Sequence, residues 1–401
     1  MHSLEDYRPI VGNEVYADIH RRARKLYPKH YVHINSTYAG GGVAEMLQSL
    51  IPLMNNSGID TGWRVLAGNA DFFNTTKKFH NGLQGEDVNL TEVKKHLYVT
   101  QNQDFSTYTH ITHDCVVVHD PQPLPLVTFY KKKQPWIWRC HIDITHPDQE
   151  LWAFLAEFII RYDVMIISNE AYRKDLPIEQ RVFPPAIDPL SSKNTDLAPM
   201  LVRKNLDRFG VKTDKPLLVQ VSRFDKWKDP LGVVRSFIKV RQELDCRLVL
   251  VGSMASDDPE GEIIYRQVEA EAKPYLESGD LVLIQYESNV LVNALQRSAT
   301  VLLQKSLREG FGLTVTEGLW KAKPVVSTRV GGIPMQIEDG ENGLLVDPGD
   351  DDAFAEAIIR ALRDPEWAAE LGRRGKETVR EKFLMTRLMS DYLDLMCDLT
   401  C

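Results

Sequence analysis

The sequence predicts an α/β protein with two Rossmann-like parallel-sheet domains facing a central cleft. Three observations predict it. Short continuous apolar runs alternate with longer stretches of helical period, the pattern of parallel strands covered by helices on both faces. These runs fall into two series, separated by a Pro-, Ser- and Asp-rich stretch without helical period, FPPAIDPLSSKNTD (183–196). The length, 401 residues, exceeds what one hydrophobic core commonly serves, so two domains of about 200 residues are the default.

The first series of predicted strands is YVHIN (31–35), WRVLAG (63–68), CVVVHD (115–120), WIWRCH (136–141) and VMIIS (164–168). The second is LLVQVS (217–222), RLVLVGS (247–253), LVLIQ (281–285), TVLLQKS (300–306), PVVST (324–328) and GLLVD (343–347). The expected domains are therefore 1–188 and 189–375. A helix at 376–401 follows, free to cross back to the first domain. Open α/β sheets bind ligands beyond the carboxyl ends of their strands, so the chemistry is expected in the cleft. Closure about the 183–196 segment would then exclude water. DDAFAEAIIRALRD opens with Asp350 to Asp352, which we read as helix capping and dipole complementation.

Hydrophobic residues make up 43% and charged residues 26%, the profile of a soluble globular protein. A net charge of −8 argues against nucleic-acid partners, whose phosphates an acidic surface repels. No run reaches the roughly 18 apolar residues of a membrane span. The opening MHSLEDYRPI lacks the basic and apolar regions of a signal peptide, so a cytoplasmic location is expected. Five cysteines without a C-x-x-C pair fit free thiols in a reducing compartment.

Four stretches carry candidate chemistry. In STYAGGGVAEMLQSL (36–50), Gly40, Gly41 and Gly42 follow a strand and open a helix with Val43, Met46, Leu47, Leu50, Ile51 and Met54 on one face. Pro52 is expected to kink it near its end. Glycines there let a ligand approach backbone amides at the positive end of a helix; a plain tight turn would use the same residues. In QVSRFDKWKDPLGVV (220–234), Asp229 and Pro230 read as an N-cap and first-turn pair, with Val233, Phe237, Val240 and Leu244 on the buried face. Arg223 and Lys228 then lie in the preceding loop, two cations suited to a departing diphosphate, although such a pair is often simply solvated.

In REGFGLTVTE (308–317), Gly310 and Gly312 precede a helix expected near Leu313 or Thr314, a second amide cradle. Glu309 lies in the loop and Glu317 in the first turns, on opposite sides of that cradle. Carboxylates accepting paired hydroxyl hydrogens would grip sugar or ribose edges; a capping box or helix-dipole partner would explain Glu317 alone. Last, VVVHDPQP and WRCHID place His119, Asp120 and Gln122 after one strand and His141 and Asp143 after the next. With His110, His113, Asp114 and His146 the region is dense in metal-ligand types. It lacks compact ligand spacing, and neighbours on a strand face opposite ways, so no metal site is assigned.

S-R-F-x-x-x-K followed by E-G-F-G-L-T-x-x-E, with an upstream glycine-rich loop and a strand-end histidine, resembles the retaining nucleotide-sugar glycosyltransferases of the fourth family, which have the GT-B fold. HDPQP, WRCHID, SRFDKWKDP and SLREGFGLTVTEGLWK are more closely similar to the trehalose glycosyl-transferring synthases. The likeness spans nearly the whole chain. Gly318 and Ala322 depart from the wider pattern, where alanine and glycine are frequent, and Trp320 replaces a smaller residue.

The resemblance implies transfer of glucose from a nucleoside diphosphate glucose (ADP-, UDP- or GDP-linked) to free glucose, giving α,α-trehalose. It implies that Arg223 and Lys228 bind the diphosphate, that Glu317 holds the ribose and that Glu309 lies by the donor glucose. The amides around Phe311, Gly312, Leu313 and Thr314 would contact donor sugar and phosphate, with Gly41 and Gly42 on the other domain. His141 matches a donor-sugar histidine and Asp120 an acceptor-side carboxylate. Two cations and several amides leave no need for a metal to neutralise the phosphate, so no obligatory cofactor is expected and magnesium at most stimulates. The expected partners are the nucleotide sugar and glucose, with a homodimer left open. A trehalose phosphorylase of the same family, or another acceptor, is the alternative. YESNVLVNALQRSA (286–299) is expected to border the base without deciding its identity.

Overall fold

A computed structural model describes residues 2–39, 41–252 and 259–401; Gly40 and Ser253 lie outside them. The chain forms two compact units, Met1–Ala186 with Met385–Cys401, and Ile187–Leu384. The boundaries lie at 186/187 and 384/385, against 188/189 and 375/376 read from the sequence.

The first unit runs α1 (Leu4–Leu26), β1 (His30–Asn35), α2 (Gly42–Asn56), β2 (Asp60–Val65), α3 (Ala70–Leu83), α4 (Glu92–Tyr108), β3 (Cys115–His119), β4 (Trp136–Arg139), α5 (Gln149–Ile159), β5 (Val164–Ile167) and β6 (Glu179–Val182). All strand pairs are parallel, in the order β2-β1-β3-β4-β5-β6. Alternation sorts the strand residues. Val32, Ile34, Val116, Val118, Trp136, Trp138, Met165 and Ile167 enter one core, while Tyr31, His33 and Arg139 point to the other face. Both faces are buried, which is why these strands read as unbroken apolar runs. Side-chain caps start the helices where the sequence changes period: Asn69 accepts from the Phe72 amide, Thr91 from Lys94 and Asp148 from Leu151. Helix α2 continues through Pro52 to Asn56. Strand β2 starts three residues before its predicted position, and β6, EQRV, was not predicted; an edge strand half in solvent carries no apolar run.

The second unit runs α6 (Pro199–Arg208), β7 (Leu217–Val221), α7 (Pro230–Glu243), β8 (Arg247–Gly252), α8 (Pro259–Ser278), β9 (Leu281–Gln285), α9 (Asn289–Ser298), β10 (Val301–Gln304), α10 (Leu313–Trp320), β11 (Val325–Thr328), β12 (Leu344–Val346), α11 (Asp351–Arg363) and α12 (Pro365–Lys382). Its parallel sheet has the order β12-β11-β10-β7-β8-β9. Asp229 caps α7 from a left-handed conformation, φ 42°, accepting from the Gly232 amide, and Asp350 caps α11. The last helix, α13 (Met385–Thr400), belongs to the first unit.

The segment read as a linker is tied down over its second half. Asn293 Nδ2 donates to the carbonyls of Ser192 and Thr195, Arg297 to those of Asn194 and Thr195, and Lys321 Nζ to Asn194 Oδ1. No helix of the described residues is long and apolar enough to cross a membrane. All five cysteines are free, and Cys115, Cys140 and Cys246 are buried.

Candidate active site

Each sheet reverses its winding direction once, between β1 and β3 in the first unit and between β7 and β10 in the second. Crevices for ligands open at such switch points, beyond the carboxyl ends of the strands. The sequence-predicted residues follow these strands: Gly41 and Gly42 after β1, Asp120 after β3, Arg223 and Lys228 after β7, and Glu309 to Thr314 after β10.

In the second unit, α10 begins at Leu313 behind Gly312, whose φ of 85° favours glycine and which offers no side chain to cap the helix. The Val315 amide turns back to the Gly312 carbonyl at 2.9 Å, while those of Leu313 and Thr314, the first two of the helix, meet no side-chain cap and suit an anion. The loop before them is held from behind. The Gly332 amide donates to the Gly310 carbonyl at 3.1 Å, and Gln336 Nε2 donates to the Phe311 carbonyl at 2.6 Å. A Cβ on Gly331, itself at φ 54°, would lie 1.6 Å from the Glu309 carbonyl oxygen. The pair Gly331–Gly332 is thus a close-approach site that the sequence reading missed. Phe311 is buried edge-on against Phe383, so only its backbone is available to a ligand. Thr314 Oγ1 donates to Gln304 Oε1 at 2.8 Å.

Lys228 Nζ and Glu309 Oε2 are brought together at 2.5 Å, and Ser306 Oγ lies 3.4 Å from the same oxygen. Arg223, on the same loop as Lys228, remains 57% exposed, 3.2 Å from Asp225 Oδ2. Asp225 Oδ1 accepts from the Lys228 amide. Glu317 lies apart from Glu309 in its bonding: it is 3% exposed, accepts from Gln296 Nε2 at 3.1 Å and sits 3.5 Å from Lys193 Nζ. Glu317 is the fifth residue of α10, and a capping box would need the third, Val315. Glu317 is therefore not part of a capping box.

Buried polar groups support this loop system. Gln220 accepts from the Lys305 amide and donates to the Lys228 carbonyl, both at 3.0 Å, linking β7, β10 and the cationic loop. Lys305 is wholly buried and pairs with Asp229 and, at 2.7 Å, with Asp351. Asp351, read as a dipole residue, is thus also half of a buried ion cluster with Arg235 at 2.6 Å. Any side chain at Gly232 would strike it, since a Cβ there would lie 2.1 Å from Asp229 Oδ2. A lysine directly after an apolar strand was the available signal for Lys305. Beside Glu317, burial pushes the Lys321 ammonium down to about 7.

In the first unit, Gly41 takes φ 84° as the N-cap of α2, again without a side-chain cap, and Gly42 opens the helix. Asp120 also adopts a left-handed conformation, φ 61°, which turns its carboxylate back so that Oδ1 accepts from the His141 amide at 2.9 Å. Burial pushes Asp120 up to about 6, against the opposing pull of that amide and of Arg139.

His141 lies two residues beyond β4 and joins two further histidines. Its Nε2 is 3.0 Å from His119 Nδ1, and His119 Nε2 is 2.9 Å from His33 Nδ1. Burial lowers all three imidazoles, His33 to about 3, and the Arg139 guanidinium lowers His119 and His141 further. His33 was not singled out from the sequence, because one histidine inside a strand carries no motif.

The remaining ligand-type residues disperse. His110, His113 and Asp114 precede β3, at the opposite edge of the sheet from His119, with Asp114 Oδ2 accepting from the His30 amide. Asp143 Oδ1 accepts from Thr145 in a local turn. Among the described residues, no group of three or more His, Cys, Asp or Glu is arranged to hold a metal.

Residues 33–174 match the family described as trehalose synthase, N-terminal domain, and residues 202–378 match glycosyl transferases group 1. The chain is 46% identical over 401 residues to a trehalose synthase of Thermococcus litoralis, covering 98% of this chain and 96% of that one. It is 44% identical over 412 residues to a trehalose synthase of Rubrobacter xylanophilus, covering 99% and 97%. A UDP-forming α,α-trehalose-phosphate synthase from Burkholderia xenovorans, solved with glucose-6-phosphate, superposes with a TM-score of 0.74 at 17% identity, over 93% of this chain and 100% of that one. The fold is GT-B, and the chain belongs to the trehalose synthase family of glycosyltransferases.

Proposed function

We propose that this glycosyltransferase moves glucose from a nucleoside diphosphate glucose to free glucose, forming α,α-trehalose with retention of configuration. The observation that carries the donor half is the uncapped N-terminus of α10 beside the Lys228–Glu309 pair and Arg223. Fixed amides and two cations there suit charge that grows on a leaving diphosphate, and such preorganised stabilisation favours the transition state over the ground state. Lys228 exchanges its Glu309 partner for phosphate oxygens. Glu309 is then left to accept from hydroxyls of the donor glucose. Glu317, a carboxylate with about four acceptor sites and few of them used, takes the ribose hydroxyls.

On the first unit, His141 contacts the donor sugar, the Gly41 and Gly42 amides lie on the donor side, and Asp120 accepts from a hydroxyl of the acceptor. In the transfer step the bond from the anomeric carbon to the diphosphate oxygen breaks. The acceptor oxygen bonds to the same face of that carbon, and its proton passes to the departing phosphate oxygen. No covalent glycosyl-enzyme forms, and no metal is required, so a chelator should leave turnover in place.

The test is incubation with ADP-, UDP- or GDP-glucose and free glucose, following nucleoside diphosphate release and assigning the product linkage by NMR. An α,α-1,1-linked disaccharide is expected. Hydrolysis alone, or a different linkage, refutes the assignment. Conversion of trehalose and inorganic phosphate to glucose 1-phosphate, with no nucleotide-dependent synthesis, would make the protein a phosphorylase. A glycosyl adduct trapped by Glu309→Gln would replace same-face attack with double displacement.

A further inference from the structure

The three-histidine chain His33–His119–His141 does more than fill space. Its middle ring bonds on both sides, through Nε2 to His33 and Nδ1 to His141. Successive rings lie edge to edge, with centroids 5.2 and 5.3 Å apart and interplanar angles of 28° and 15°. A neutral imidazole carries one ring proton, so the tautomer of His119 dictates those of both neighbours. Only two arrangements exist. In the first, His33 Nδ1–H donates to His119 Nε2, His119 Nδ1–H donates to His141 Nε2, and the third proton sits on His141 Nδ1. In the second every proton is reversed, and the third sits on His33 Nε2.

The inner end of the chain decides between them. His33 is wholly buried, and its Nε2 has no hydrogen-bond partner. The second arrangement would seal an N–H donor there without an acceptor, the rarer and costlier kind of orphan in protein interiors; the first leaves only a bare lone pair. Burial keeps all three rings in the uncharged form to which this counting applies. His141 is the one member of the three that is not fully buried, so the proton displaced outward arrives where a ligand can meet it.

We propose that His33 and His119 are positioning residues that hold His141 as its Nδ1–H tautomer, so that it offers a hydrogen-bond donor, and no lone pair, to a sugar oxygen. This rests on the assignment of His141 to the donor sugar. His141 in this state cannot take a proton at Nδ1, so it clamps an oxygen and leaves proton transfer to the phosphate.

The direct test uses the unaltered enzyme. Protein labelled with ¹⁵N-histidine is examined by two-bond ¹H–¹⁵N correlation, with signals assigned by single substitutions. Protonated Nδ1 and bare Nε2 on all three rings is the expected result; protonated Nε2 on His141 or His119 overturns the proposal. Kinetics add a second arm. His33→Phe, which cannot donate to His119, should lower kcat on the order of tenfold, the usual scale for groups that orient a ligating histidine. His33→Asn, whose amide can donate from the position of Nδ1, should recover most of it. Equal losses in the two variants, both folded by circular dichroism, would reduce His33 to packing. The NMR result does not depend on turnover, so failure of the trehalose assignment and failure of the tautomer assignment are distinguishable.

Discussion

Arg223→Ala separates catalysis from stability. Arg223 is more than half exposed, and the pair it makes among the described residues, with Asp225 at 3.2 Å, leaves the guanidinium open to solvent. Exposed pairs of this kind contribute about 0–1 kcal/mol, so the variant should melt within about 1 kcal/mol of wild type. Its expected work is elsewhere. A guanidinium bonded to a diphosphate gaining charge in a water-poor site is worth about 3 kcal/mol in the transition state, roughly a hundredfold in rate. The assay is the initial rate of nucleoside diphosphate release at saturating glucose, with thermal melts of the same samples. Arg363→Ala is the control: Arg363 is 60% exposed, pairs with Glu243 at 2.6 Å, and its loss changes net charge equally. If kcat/KM of Arg223→Ala stays within twofold of Arg363→Ala, the diphosphate does not sit at Arg223 and the donor assignment falls.

Three further outcomes are expected. Gly331→Ala forces a methyl group to 1.6 Å from the Glu309 carbonyl in a left-handed conformation; a loss of about 2–4 kcal/mol, read by urea denaturation, should accompany loss of turnover. Lys305→Met leaves Asp229 without its buried cation and Asp351 with Arg235 alone; about 3–5 kcal/mol of stability should disappear, part of it restored by adding Asp229→Asn. Asp120, pushed up to about 6, holds its proton in the folded chain between about pH 4 and 6, while the unfolded chain releases it. Stability therefore falls as pH rises through that window, by about 3 kcal/mol in all. Asp120→Asn keeps the acceptor for the His141 amide and tolerates φ 61°, so its melts should lack this slope and exceed wild type above pH 6. Parallel slopes in the two proteins would show that Asp120 titrates normally.

Much of the architecture was legible because burial on both faces of a parallel sheet leaves a long apolar run in one dimension. All eleven predicted segments contain or overlap strands, and the starts of α7 and α10 were set by local chemistry, an Asp-Pro pair and a left-handed glycine. Strand β6 escaped because its four residues, EQRV, hold a single apolar side chain and satisfy no such pattern.

The half-sites divide along the same line. Residues placed by a strand end and its following loop, such as Arg223, Lys228, Glu309 and Asp120, could be named from sequence, since chain direction alone delivers them to the carboxyl edge of a sheet. The pairing of Lys228 with Glu309 spans 81 positions, His33 with His119 spans 86, and Lys305 with Asp229 spans 76. Those unions depend on strand order. β1 lies beside β3, and β7 beside β10, only because each sheet reverses direction between them. Local sequence specifies which elements form; which buried side chains then share a proton or a charge is decided when the strands find their neighbours.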